Sequence, residues 1–331
     1  PMFIINNNKN KGVINMNNLK KIGLSALAGS LVAFSANAGE MSVSGSAGLY
    51  MSSANDTAKT TWSNSDHVSF SGSGELDNGM TVTFSLELDG DEADDGAVDS
   101  HSVKIDTNGS GVITYSGHGG SSVMGGMDDK TPNAYEEAWD SLTQTGTDSV
   151  INGVGGNDMI RYDSPDFSGV TVHASIVMNS AAGYNGQYTD FGIVVKPEMV
   201  EGLEIGYAFG ETEATAGTPI DDSTVYVTYA YGPITIGYQE SESDAVSATN
   251  SDESETFGIS YQISDDFSVS YNTHDYNDGA WTSDEEYSGI SASYTMGGIT
   301  VSGHMNEVEN RGGSSTAADV ESYELYLGFA F

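Results

Sequence analysis

Glu321-Ser322-Tyr323-Glu324-Leu325-Tyr326-Leu327-Gly328-Phe329-Ala330-Phe331 is the stretch that decides how the rest of the chain is read. Tyr323, Leu325, Leu327, Phe329 and Phe331 alternate with Ser322, Glu324, Tyr326, Gly328 and Ala330. A period of two puts each set on its own face of a β-strand. One face is too apolar for water, and the other is small or polar. Such a strand suits a wall with lipid on one side and water on the other.

The same alternation recurs upstream. Met80, Val82, Phe84, Leu86 and Leu88 alternate with Thr81, Thr83, Ser85 and Glu87, and the pattern returns in Val170–Met178, Leu203–Phe209, Val225–Tyr231, Ile234–Tyr238, Phe257–Ile263, Phe267–Tyr271 and Ile299–Met305. Weaker, Gly- and Ser-rich versions bring the expected total to sixteen strands. The gaps between them alternate in length. Short ones such as Asp77-Asn78-Gly79, Gly232-Pro233 and Gly297-Gly298 have tight-turn chemistry, since such turns need positive φ. Long ones run from nine residues up to the forty of 118–157. This parity predicts an all-β fold, a transmembrane antiparallel β-barrel of sixteen strands with apolar residues outward and polar ones inward. A secreted β-sandwich or adhesion protein is the alternative from another class. It has no need of loop parity, and Ser, Thr, Gly and acids would fill its dry core poorly.

The chain has 331 residues, no Cys, 41 Gly and 6 Pro. Lys20 and Lys21 precede an apolar run from Ile22 to Ala38 that closes on Ala36-Asn37-Ala38. That arrangement predicts a secretory signal peptide over 16–38, cut after Ala38, with 1–15 as an upstream extension and 39–331 as the barrel. The run is too short and too rich in Gly, Ser and Ala for the roughly 20 apolar residues of a spanning helix. Beyond Ala38 stand six basic groups against 48 acidic ones, a formal charge of −42. Such a surface repels nucleic acid and attracts cations. Without Cys there is neither a disulfide framework nor a thiolate metal site.

The forty-residue connection 118–157 is long enough to imply a function of its own. Within it, Thr131–Leu142 reads as a short helix, with Thr131 as N-cap, Pro132 at the first helical position, and Glu136 and Glu137 in the early turns. The strand that follows carries Arg161-Tyr162-Asp163-Ser164-Pro165-Asp166-Phe167-Ser168-Gly169. With the signal segment and the final Phe, this stretch resembles Gram-negative general porins of the trimeric, sixteen-stranded, alphaproteobacterial kind. The resemblance covers the whole chain in architecture, and in sequence it is specific at those three places. It implies a channel in the outer membrane, a homotrimer of water-filled barrels, and a third loop folded inward as the constriction. It also implies an assembly machinery that reads the last strand, with Phe331 as the signal.

The expected constriction residues are Asp128, Asp129, Lys130, Glu136, Glu137, Asp140 and Asp148 on the loop, faced by Lys104 and Arg161 on the wall. General porins often carry an Arg and Lys cluster on that wall. Here the inward positions are Ser42, Ser44, Ser46, Ser69, Ser71, Ser73, Thr81, Thr83, Ser85 and Glu87. A cation-preferring diffusion channel for small hydrophilic solutes is therefore expected, with a substrate-selective channel as runner-up. Asp89, Asp91, Glu92, Asp94 and Asp95 offer oxygens for a structural Ca²⁺. Ala93 interrupts the set, so a solvated acidic loop is the simpler reading. The six His are dispersed with no nucleophile or metal-ligand motif, so no catalytic residue and no further cofactor is expected.

Overall fold

The computed structural model describes residues 41–54, 59–90, 98–140, 142, 154–178, 186–214, 219–245 and 251–331. The signal segment and the upstream extension lie outside these residues. In chain order the strands are β1 (Met41–Ala54), β2 (Thr61–Glu75), β3 (Thr81–Asp89), β4 (Val98–Asp106), β5 (Val112–His118), β6 (Gly120–Ser121), β7 (Gly155–Gly156), β8 (Met159–Asp163) and β9 (Val170–Val177). They continue with β10 (Gly186–Val195), β11 (Leu203–Ala214), β12 (Ile220–Tyr231), β13 (Ile234–Ala245), β14 (Ser251–Ser264), β15 (Phe267–Asn277), β16 (Glu285–Met296), β17 (Ile299–Glu309) and β18 (Val320–Ala330).

Sixteen of these close into one barrel in which sequence neighbours pair antiparallel, β5 pairs β8, and β1 pairs β18. The two-residue strands β6 and β7 pair only with each other, at the base of the third loop. At the seam the register runs from Ser46↔Ala330 to Ala54↔Ser322. One step further, Gly45 and Phe331 exchange two backbone hydrogen bonds of 2.9 and 3.0 Å. Closure leaves no unpaired strand edge, the condition for backbone in hydrocarbon.

The alternation does what the sequence implies. Phe191, Ile193, Tyr207, Phe209, Ile236 and Tyr238 face outward and are exposed, while Asp190, Ala208, Gly237 and Gln239, at alternate positions of the same strands, are buried. Outward aromatics pair across and along strands, as in Phe191–Phe209 with ring centroids 5.6 Å apart and Tyr229–Tyr231 at 6.4 Å. They form part of the girdle expected at the lipid–water boundary. In the Asp106–Gly111 connection, Asn108 and Gly109 take φ of 58° and 107°. Both values lie where Asn and Gly are favoured.

Several strands run further toward the long loops than the apolar alternation predicts. β13 reaches Ala245 and β14 starts at Ser251, whereas the apolar pattern covers only Ile234–Tyr238 and Phe257–Ile263. Beyond Tyr238 the outward positions are Glu240, Glu242 and Asp244, all exposed, and Glu240 and Glu242 pair with Glu255 and Glu253. The ladder needs only backbone partners, so it continues past the lipid band into water while the side chains change from apolar to acidic.

Candidate functional site: the third loop against the lumen wall

The third loop lies on the polar face of the wall, opposite the apolar exterior, and runs along it from β9 to β18. Each stage has its anchor. Val123 N–H donates to Ser175 Oγ on β9 at 3.2 Å, and Met124 N–H to Asp190 Oδ2 on β10 at 2.8 Å. Val123, Met124 and Met127 pack with Ala208 and Tyr226. Gln239 on β13 accepts from Lys130 N–H at 2.8 Å and donates to the Met127 carbonyl at 2.6 Å. Ser270 and Ser291 accept from the N–H groups of Ala134 and Tyr135 at 2.9 and 3.1 Å. Asn306 on β17 donates to the carbonyls of Glu137 and Asp140 at 2.8 and 2.9 Å. Tyr135 OH donates to Glu324 on β18 at 2.8 Å.

These bonds explain a correction. The short helix expected over Thr131–Leu142 is absent: residues 131–140 form bends and turns, and no helix occurs among the described residues. The capping chemistry was sound locally. The N–H of Tyr135, the first that a helix capped by Thr131 would bond to the carbonyl four residues back, is taken by Ser291, and the Ala134 N–H before it by Ser270. What remains is a tight turn in which Asp140 N–H reaches the Glu137 carbonyl at 3.2 Å.

Glycines on the inward face open the path. A Cβ on Gly192 would meet Val123 at 2.6 Å, one on Gly237 would meet Pro132 at 2.6 Å, and one on Gly258 would meet the Pro132 carbonyl at 2.9 Å. Sequence reasoning missed these residues. Their signal was available, as inward Gly interrupting an otherwise Ser- and Thr-rich face. Also missed was an aromatic ladder that ties the loop to the seam. Tyr135 stacks on Tyr326 at 5.7 Å and on His304 at 5.8 Å, and Tyr326 meets Tyr50 at 4.8 Å.

The loop brings its acids together. Carboxylate oxygens of Glu136, Glu137 and Asp140 all lie within 4.8 Å of one another, close enough to share a cation. Burial is the first cause of their raised pKa values, and neighbouring acids add to it. Glu136 is pushed up to about 7, with Asp140 and Glu324 contributing. Glu137 rises to about 8, with Asp129 contributing. Asp140 rises to about 7 with help from Glu137, and Asp128 to about 6 through burial against the opposing pull of Lys130. Asp129 is raised by burial, then by the charges of Asp128 and Asp140.

The other expected residues fare differently. Lys104 holds an inward position on β4 between Thr83 and Thr114 and is exposed. Arg161 does not stand as a free wall cation. Its Nε donates to Asp163 at 3.0 Å and its Nη1 to the carbonyls of Ser121 and Ser122 at 3.2 and 3.0 Å, so it clamps the base of the loop. Asp148 lies outside the described residues, as do Asp91, Glu92, Asp94 and Asp95 of the proposed Ca²⁺ set. Asp89 ends β3.

A closed wall of sixteen strands, apolar outside and polar inside, with a long third loop folded along its lumen face, is a transmembrane channel. The family model for Gram-negative porins matches residues 23–313. The chain belongs to that family. Its place is the outer membrane, and its architecture is that of a diffusion channel. No curated protein matches its sequence. Among solved structures, an anion-selective porin from Comamonas acidovorans superposes with a TM-score of 0.68 at 14% identity, covering 88% of this porin and 99% of its own chain. An outer-membrane expressed OmpT of Vibrio cholerae gives 0.63 at 13% identity, covering 89% and 98%. A variant of the Rh. blastica porin gives 0.62 at 15% identity, covering 88% and 100%. At such identities the likeness is one of fold.

Proposed function

We propose that this porin is a passive, cation-preferring diffusion pore for small hydrophilic solutes and ions, with no catalytic step. The observation that carries the reading is the crowd of carboxylates on the loop, Glu136, Glu137 and Asp140, which has no basic counterpart on the β1–β3 wall. Carboxylates in a narrow lumen focus potential and concentrate counter-ions, as acidic rings do in cation channels. The Comamonas porin is described as anion-selective. A shared fold therefore leaves selectivity to the charges each chain places in its lumen.

In this reading the loop 118–157 is the constriction, and the working unit is a homotrimer, the form described for the OmpT of Vibrio cholerae. The mature chain begins at Gly39, and the assembly machinery recognises the strand ending in Phe331. The experiment is the zero-current potential across a planar bilayer in a KCl gradient. A potential of the sign expected for K⁺ preference supports the reading, and Cl⁻ preference overturns it.

A further inference from the structure

We propose that the lumen holds a subsite for a small oxyanion, carboxylate or phosphate, beneath the first turn of the third loop. This deepens the diffusion-pore reading and rests on it for its role in transport. The site is a cavity of about 320 Å³ between the loop and the short-turn end of β8–β12. Lys130 enters it from the loop, Arg161 from β8 and Lys196 from the turn after β10. Beyond Ala38 the chain has only six Lys and Arg, and three of them line this one cavity.

Hydrogen-bond accounting selects the sign of the ligand. Each carboxylate at the site, and Asp163 next to it, already accepts at least one hydrogen bond. Asp163 accepts from Arg161 Nε at 3.0 Å and from His173 at 2.6 Å. Glu204 accepts from Lys196 Nζ at 2.8 Å and from Tyr226 OH at 2.7 Å. Asp166 Oδ1 takes the Gly169 N–H at 2.8 Å. The donors are not used up, since an ammonium has three protons and a guanidinium five. Lys196 commits one proton, Arg161 keeps its Nη2 group, and among the described residues Lys130 Nζ makes no hydrogen bond. Three cations and two carboxylates, Asp166 and Glu204, line the cavity, so its own acceptors do not use up its donors. A ligand rich in acceptor oxygens completes the set, and Arg and Lys are the donors suited to carboxylate and phosphate.

The test uses the full-length porin in planar bilayers at constant ionic strength, with inorganic phosphate and acetate added in separate arms from either side. Expected is a saturable reduction of KCl current by one or both anions. Lys130→Gln/Lys196→Gln should raise the half-effect concentration at least tenfold, while Lys59→Gln stays within twofold of the wild type. A response that does not saturate, or that is unchanged in the double variant, overturns the subsite. Binding is also read without conduction, by phosphorus-31 line broadening of phosphate on detergent-solubilised protein. Broadening lost in the double variant supports the site even if the wild type passes no current, an outcome that would instead sink the diffusion-pore reading.

Discussion

Selectivity should fall as the pH falls, and the loop fixes both the range and the size of the change. Asp128 titrates at about 6, Glu136 and Asp140 at about 7, and Glu137 at about 8. All four values are raised, so each group loses its negative charge at a higher pH than a free carboxylate. About two of the four charges are present at pH 7, nearly all at pH 9 and about none at pH 5. For an ion passing about 5 Å away, one full charge is worth about 0.8 kcal/mol at the dielectric of water. Screening at 0.15 M salt halves this to about 0.4 kcal/mol. The term acts with opposite sign on K⁺ and Cl⁻, so each charge changes the permeability ratio about fourfold. Between pH 7 and pH 5 the ratio should fall about fifteenfold, and between pH 7 and pH 9 it should rise comparably. The assay is the zero-current potential in a KCl gradient at the three pH values, for the wild type and for Glu136→Gln/Glu137→Gln/Asp140→Asn. The variant should lose most of the change above pH 7, where Asp128 is already ionised. A wild-type ratio flat from pH 5 to pH 9 refutes the reasoning. An equal slope in the variant moves the titrating charge off the loop.

Asp190→Ala removes the acceptor for Met124 N–H and Ser175 Oγ. It should weaken docking of the loop's first turn by about 1.5–3 kcal/mol, seen as increased open-channel current noise with the barrel's circular dichroism unchanged. Tyr135→Leu deletes the bond to Glu324 and the ring contacts with Tyr326 and His304. It should loosen the loop near the seam by about 1–3 kcal/mol, and channels as quiet as wild type would count against that anchor. A Cβ on Gly45 would stand 2.9 Å from the His67 carbonyl and 3.0 Å from the Phe331 ring, so Gly45→Val and Phe331→Ala should both lower the yield of folded protein in the outer membrane. Wild-type yields of both would show that the seam tolerates either change.

The barrel was legible because lipid and water act on every residue of every strand, so the same two-residue period is written sixteen times. Loop parity added the pairing order. Strand ends were less legible, since backbone pairing continues into water where side chains such as Glu240 and Glu253 no longer report an apolar face. The loop was the least legible part. Thr131, Pro132 and Glu136 carry helix-start chemistry, yet Ser291, more than a hundred residues away, takes the Tyr135 N–H that would close the first helical turn. Local propensity is a weak prior against partners supplied by tertiary structure. The acids at 128–140 lie on one loop. That Arg161 would be committed to Asp163 and the loop base was invisible without its neighbours in space.

The way the loop is fastened bears on the charge it presents. A segment lying on a wall must satisfy its backbone polar groups there. This wall does so largely with neutral groups, the hydroxyls of Ser175, Ser270 and Ser291 and the amides of Gln239 and Asn306. Neutral anchors bind backbone and leave side-chain charge uncancelled. Arg or Lys in place of Gln239 or Asn306 would have bound the same carbonyls, but would also have brought positive charge to Glu136, Glu137 and Asp140 and pulled their pKa values down. With hydroxyls and amides instead, the carboxylates have only two ways to relieve their crowding. They take up protons near neutral pH, or they draw cations from the solution passing through the lumen. The cations the chain does spend here, Lys130, Arg161 and Lys196, sit below the first turn of the loop, where Arg161 holds its base.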